Sequence, residues 1–272
     1  AELERHFVVV QWDQRGAGKS YSSSVPDESM RVTQFVSDAH ELVQILLARF
    51  GARKCYLVAH SWGPLFGAQL AAQYLDLFFA YVGIGQTVDL PQTEQVLYRF
   101  ALDSARGEDN QKAIADLERI GRPPHSNEDH KFNTKLVDHY AEREHPSLSR
   151  TRITRLALES PAYSWIDLVK IPLGVRYSFQ RLWKEIFYET SLFQQAPRIE
   201  VPVYFFLGRH DKVVTTDVAQ RYFDALDAPR GKQIVWFEES GHWLHFEEPE
   251  KYRKELIERV LGGSAAASVL PS

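Results

Sequence analysis

Apolar positions change their period several times along the chain. Residues 7–12 (FVVVQW) form a short, continuous, β-branched run closed by Asp-Gln-Arg-Gly, which predicts a buried strand. Val32, Phe35, Val36, Ala39, Leu42, Val43, Leu46, Leu47 and Phe50 then recur at helical spacing, with Gly51 placed to end the helix. Residues 55–59 (CYLVA) read as a second strand, 63–74 as a helix and 80–85 (AYVGIG) as a third strand. This alternation predicts an α/β fold, a mostly parallel sheet covered by helices on both faces. Between 91 and 198 the period turns helical and the charge density rises, punctuated by Pro123-Pro124 and Ser160-Pro161, the pattern of an inserted helical cap. Sheet rhythm returns with a strand at 201–207 (VPVYFFL), a helix near 215–227, a strand at 233–237 (QIVWF) and a last helix at about 249–261. The division is thus a core of 1–90 and 199–263, a cap of 91–198 and a small, polar, disordered tail of 264–272.

Composition narrows the classes of partner. A hydrophobic fraction of 44% in 272 residues supplies a packed core. Lys plus Arg number 32 against 36 Asp plus Glu, a net charge of −4, which gives no electrostatic case for nucleic acid or an anionic membrane. No apolar run reaches 18 residues, so no transmembrane helix is indicated. The single cysteine, Cys55, opens an apolar strand and fits a buried thiol in a reducing cytoplasm rather than a disulfide framework. The opening Ala-Glu-Leu-Glu-Arg-His is no signal peptide, and the one methionine is Met30.

Chemistry concentrates at three strand ends. Ala59-His60-Ser61-Trp62-Gly63 lies between a strand and a helix, where a strained turn exposes a nucleophilic serine and demands small neighbours two residues to either side. Gly63 meets that demand, and Ala59 stands where glycine is usual. The backbone N–H of Trp62, opening the next helix, is the expected oxyanion donor. Asp211 follows the strand at 201–207, and His242 follows the strand at 233–237. A parallel sheet gathers such loops on one edge, and the order Ser, Asp, His is that of a nucleophile, its orienting acid and its base. His245 is the competing base; His242 is preferred because it directly follows the Ser240-Gly241 turn. His60, adjacent to Ser61 on a tight turn, points away from it and makes a poor base. No third ligand joins His242 and His245, so no metal is expected. Gly16-Ala17-Gly18-Lys19-Ser20 imitates a phosphate loop, but Asp13 stands where that loop needs glycine, and Tyr21 breaks the dinucleotide pattern.

These segments, with Trp12-Asp13-Gln14-Arg15-Gly16-Ala17-Gly18-Lys19-Ser20, Gly208-Arg209-His210-Asp211 and the cap stretch from Ala115 to His125, resemble the proline iminopeptidase-like branch of the α/β hydrolases. The resemblance spans nearly the whole chain. It implies a cofactor-free monomer or small homo-oligomer that cleaves an amide or ester bond of a small molecule or short peptide. It also implies strands and a His-Gly-Gly-Pro-Gly-type oxyanion loop ahead of the run at 7–12, with one strand between 7–12 and 55–59. These 272 residues lack both, so the sequence reads as missing an upstream piece. The aminopeptidases of this branch hold the substrate's amine with acidic residues, one directly after the triad Asp. Here Lys212 occupies that position, leaving Asp167, Glu185 and Glu189 of the cap as substitutes. Tyr163, Trp165, Phe179 and Trp183 are candidate pocket aromatics. Three readings stay open: an aminopeptidase, a carboxylesterase or lactonase, and a silent binding protein on the same fold. The Asp-nucleophile chemistry of dehalogenases and epoxide hydrolases is excluded by Ser61.

Overall fold

A computed structural model describes residues 2–145, 155–156, 158–160 and 162–262. The tail expected at 264–272 lies outside the described residues. Among these residues four strands, β1 (Cys55–His60), β2 (Phe78–Ile84), β3 (Val203–Gly208) and β4 (Lys232–Phe237), form one sheet in the order β1-β2-β3-β4, every pair parallel.

Strand periodicity divides the core in two. Tyr81, Val203, Phe205 and Leu207 face a cluster with Phe35, Leu65 and Leu70, while Ala80, Val82, Ile84, Tyr204 and Phe206 face one with Leu244, Leu256 and Val260. Burying apolar surface on both faces, worth about 25 cal/mol per Å2, is what holds such a sheet together. Helix α1 (Val32–Phe50) buries Val32, Phe35, Val36, Ala39 and Val43 on one stripe. It ends at Gly51, whose φ of 61° lets its N–H reach back to the last turn. Helix α2 (Pro64–Gln73) starts on a proline at its first turn and is buried from Pro64 through Ala71.

Between β2 and β3 the described chain is helical: α3 (Leu90–Gly107), α4 (Gln111–Ile120), α5 (Asn127–Glu144) and α6 (Trp165–Lys184). Asp89, Asn110, Ser126 and Ser164 accept from backbone N–H groups at the four N-termini, each satisfying a donor the helix leaves orphaned. A wider π turn, Glu185–Glu189, follows α6. Helices α7 (Thr216–Ala225) and α8 (Pro249–Glu255) then flank β4 in the chain.

The strand expected at 7–12 does not form. Those residues join no ladder; Val8, Val9 and Val10 are 67%, 44% and 48% exposed, and β1 is an edge strand. An apolar run becomes a strand only when a neighbour takes its backbone hydrogen bonds, and none of the described residues does so. The ends of the run still anchor by ring contacts: Phe7 packs edge-on against Tyr56 and Trp12 against Phe66.

Candidate active site

Ser61 sits in the turn between β1 and α2 with φ at +63°, a left-handed conformation that a side-chain-bearing residue adopts only when its surroundings impose it. Its N–H donates to the Ile84 carbonyl at 3.0 Å, and its carbonyl accepts from Thr87 Oγ1 at 2.5 Å. Steric room explains the small neighbours. A Cβ on Gly63 would stand 3.0 Å from the His60 carbonyl, and one on Gly67 would stand 3.0 Å from Ala59 Cβ. Alanine therefore fits at position 59 because the residue facing it across the turn is glycine. The Trp62 ring packs edge-on against Phe35 and tilts over Phe66, fixing the residue after the serine in the core.

The loops after β3 and β4 bring Asp211 and His242 to Ser61. His242 Nε2 is 2.8 Å from Ser61 Oγ, and its Nδ1 is 2.8 Å from Asp211 Oδ2. Asp211 Oδ1 accepts from the backbone N–H groups of Val213 and Val214 at 2.8 and 2.9 Å. Both Asp211 and His242 are 4% exposed. A carboxylate with this partner set only accepts, so His242 Nδ1 carries the hydrogen and Nε2 is left to accept from the Ser61 hydroxyl. That arrangement can transfer the hydroxyl proton to the ring as the oxygen attacks a carbonyl. His245 lies behind this set, its ring centre 4.8 Å from that of His60, so the ring nearest the serine as a base is that of His242. Burial, with the neighbouring His242, holds the His245 imidazole down at about 4.

The other candidate residues have separate partners. Glu185 accepts from the Val32 N–H at 3.0 Å and so caps α1; burial raises its carboxyl above the usual range. Asp167 closes a capping box with Ser164, and Glu189 pairs with Lys184 at 3.4 Å. Lys212 turns to Glu144 at 3.7 Å and lies over the Phe100 ring at 4.3 Å, tying the loop of Asp211 to α5 and α3. Tyr163 donates to Asp13 Oδ1 at 2.7 Å, in the loop that imitates a phosphate site. Trp165 is 85% exposed, whereas Phe179 and Trp183 pack with Phe187 around His130.

Two features were not singled out in the sequence. Gly85, with φ at +49°, passes the triad so closely that a Cβ would meet the His242 ring at 3.0 Å. Glu94, 3% exposed, accepts from His125 Nδ1 at 3.1 Å and His130 Nδ1 at 2.8 Å, joining α3 to α5. The signal for Glu94 was present: position 94 falls on the helical stripe of Tyr98, Ala101 and Ala105, the buried side of α3.

Comparison with known proteins gives the family. A family model described as the alpha/beta hydrolase family matches residues 1–255. The chain is 33% identical over 261 residues to the probable aminopeptidase YbaC of Bacillus subtilis (strain 168), covering 94% of this chain and 80% of that protein. In fold it is similar to a proline iminopeptidase of Mycobacterium smegmatis, with a TM-score of 0.60, 17% identity and coverage of 94% of this chain and 80% of that one. A proline iminopeptidase-related protein of Thermus thermophilus gives a TM-score of 0.59 and 17% identity, over 92% of this chain and 77% of the other.

Proposed function

This chain belongs to the α/β-hydrolase family and is a hydrolase, and we propose that it cleaves an amide or ester bond of a small substrate through an acyl-enzyme on Ser61. The observation that carries the reading is the unbroken chain of contacts from Ser61 Oγ through His242 to Asp211, 2.8 Å at each step. In the first half-reaction Ser61 Oγ attacks the substrate carbonyl while His242 Nε2 takes the hydroxyl proton. The Trp62 N–H donates to the developing oxyanion, and Asp211 stabilises the imidazolium. Collapse of the tetrahedral intermediate breaks the bond to the amine or alcohol, which leaves with the proton from His242. Water then attacks the acyl-serine, giving its proton to His242, and collapse of the second tetrahedral intermediate breaks the bond to Ser61 Oγ, which takes that proton back from His242 as the acid departs.

For the substrate, the aminopeptidase reading is supported by the relative at 33% identity. A second reading, a short-chain ester hydrolase, has its own support in the partners of the acidic residues. Glu185 caps α1, Asp167 caps α6 and Glu189 pairs with Lys184. An ammonium group entering a dehydrated pocket needs a carboxylate, because an unpaired buried charge is costly. The test uses aminoacyl and simple acyl substrates with one common leaving group, together with a fluorophosphonate that labels activated serines. Labelling and turnover are expected to vanish together in Ser61→Ala, with a fall in kcat of about ten-thousand-fold or more and an unchanged melting temperature. Turnover that survives in Ser61→Ala refutes the acyl-enzyme. Higher kcat/KM for the free amine than for its N-acylated counterpart selects the aminopeptidase, and the reverse order selects the esterase.

A further inference from the structure

Ser61 leaves β1 and His242 follows β4, and these strands stand at opposite edges of the sheet. Three strand spacings separate them, roughly 14 Å at about 4.8 Å each. The loop bearing His242 must therefore cross the carboxyl ends of β3 and β2 to reach the serine. Glycines open its path: a Cβ on Gly208 would lie 2.0 Å from the Gly241 carbonyl, and one on Gly85 would meet the His242 ring. The near end of the loop is fastened to the segment that follows it. Glu248 accepts from Ser240 Oγ at 2.5 Å and from the Glu239 N–H at 3.2 Å, and Glu247 accepts from the Gly241 N–H at 2.9 Å. At the far end, above β1, His60 Nε2 lies 3.0 Å from the backbone carbonyl of His242 itself.

We infer that His60 is a positioning residue for the base: its Nε2–H donates to the His242 carbonyl and holds the far end of the loop over β1, setting the reach of His242 to Ser61. The inference rests on the Ser61–His242 chemistry proposed above. The His60 ring is wedged among His242, Trp243 and His245, with ring centres 4.8, 4.9 and 4.8 Å away, so it has little freedom to leave its acceptor. Burial, then the two neighbouring histidines, holds its imidazole down at about 3, and the ring stays neutral at working pH. A neutral ring adds no positive charge beside the imidazolium that His242 becomes in each half-reaction, which a lysine or arginine in the same place would do. Residues 60 and 61 are also consecutive. Any movement of the end of β1 therefore carries the nucleophile and the anchor of its base together, so their separation survives motion of the strand.

The test separates the hydrogen bond from the volume of the ring. His60→Phe keeps an aromatic ring and loses the donor, whereas His60→Gln keeps a side-chain N–H able to reach the same carbonyl. Each is measured for kcat, KM, the rate of fluorophosphonate labelling and the melting temperature. His60→Phe is expected to lower kcat and the labelling rate in parallel, by about 10- to 100-fold, the cost of small misplacements of reacting groups. KM should stay within about twofold, since a base acts on the transition state rather than on binding. His60→Gln should recover most of the loss. A folded His60→Phe with unchanged kcat, or a His60→Gln as impaired as His60→Phe, overturns the inference. Labelling that persists in Ser61→Ala strikes the underlying serine chemistry instead, so the two failures are told apart.

Discussion

At the scale of single residues, the site depends on side chains that are missing as much as on those present. Ser61, Asp211 and His242 were legible because each chemistry-bearing residue follows an apolar run, and a parallel sheet collects those ends. Gly85 was not legible. What requires glycine there is a ring that arrives from the last quarter of the chain, and no local pattern records such an approach. Substituting alanine tests the requirement twice over, since φ at +49° disfavours a Cβ and the Cβ would press on the His242 ring at 3.0 Å. A left-handed residue with a side chain costs roughly 1–2 kcal/mol. Gly85→Ala is therefore expected to lower the melting temperature modestly and to cut kcat by about tenfold or more, because the ring must shift to clear the methyl group. Steady-state kinetics beside thermal melts check both parts, and wild-type kcat in the variant would show that the ring has room to spare.

At the scale of elements, hydrophobic period located the helices at 32–50 and 63–74 and the four ladder strands to within a few residues. It failed at 7–12, where period reports burial potential but not the presence of a pairing strand. It was also silent on how the helices between β2 and β3 hold one another. There the decisive contact is polar and long-range: Glu94 on α3 grips His125 ahead of α5 and His130 within it. Around it α3, α4 and α5 bury Tyr98, Ala101, Ala105, Leu117, Val137 and Tyr140, a cluster separate from the two that flank the sheet. Removing one partner of a buried hydrogen-bonded set leaves the others unsatisfied, at a cost of about 2–4 kcal/mol. Glu94→Ala is accordingly expected to destabilise this helical segment by that amount, read from urea unfolding. Glu94→Gln, which keeps the one oxygen that both rings share and replaces only the oxygen facing the His125 N–H, should lose less. Equal stability of all three proteins would show that the contact contributes nothing net.

At the scale of the whole molecule, the buried histidines behind the triad tie global stability to pH. His60 is held at about 3 and His245 at about 4, both by burial first and by neighbouring histidines second, against an ordinary value of 6.5. In the unfolded chain both rings take up a proton as pH falls through about 6.5, while in the folded protein they stay neutral until pH approaches about 4 and 3. The unfolded state thus binds more protons throughout that window. Stability contributed by these sites is complete above about pH 6.5 and is lost as the pH falls. With two protons at stake, the slope can reach about 2.7 kcal/mol per pH unit between roughly pH 6 and 4. His245 offers the cleaner test, because its Nδ1 is buried without a partner among the described residues and its ring already packs with Phe246, Tyr252 and Trp243. Phenylalanine should occupy that aromatic nest while removing one titrating site. Urea unfolding of wild type and His245→Phe across about pH 7 to 4.5 should give curves that diverge as acid is added, the variant losing stability less steeply over the window. Parallel curves would mean that the His245 ring accepts its proton in the folded state as readily as in the unfolded one, and would remove His245 as a source of acid sensitivity.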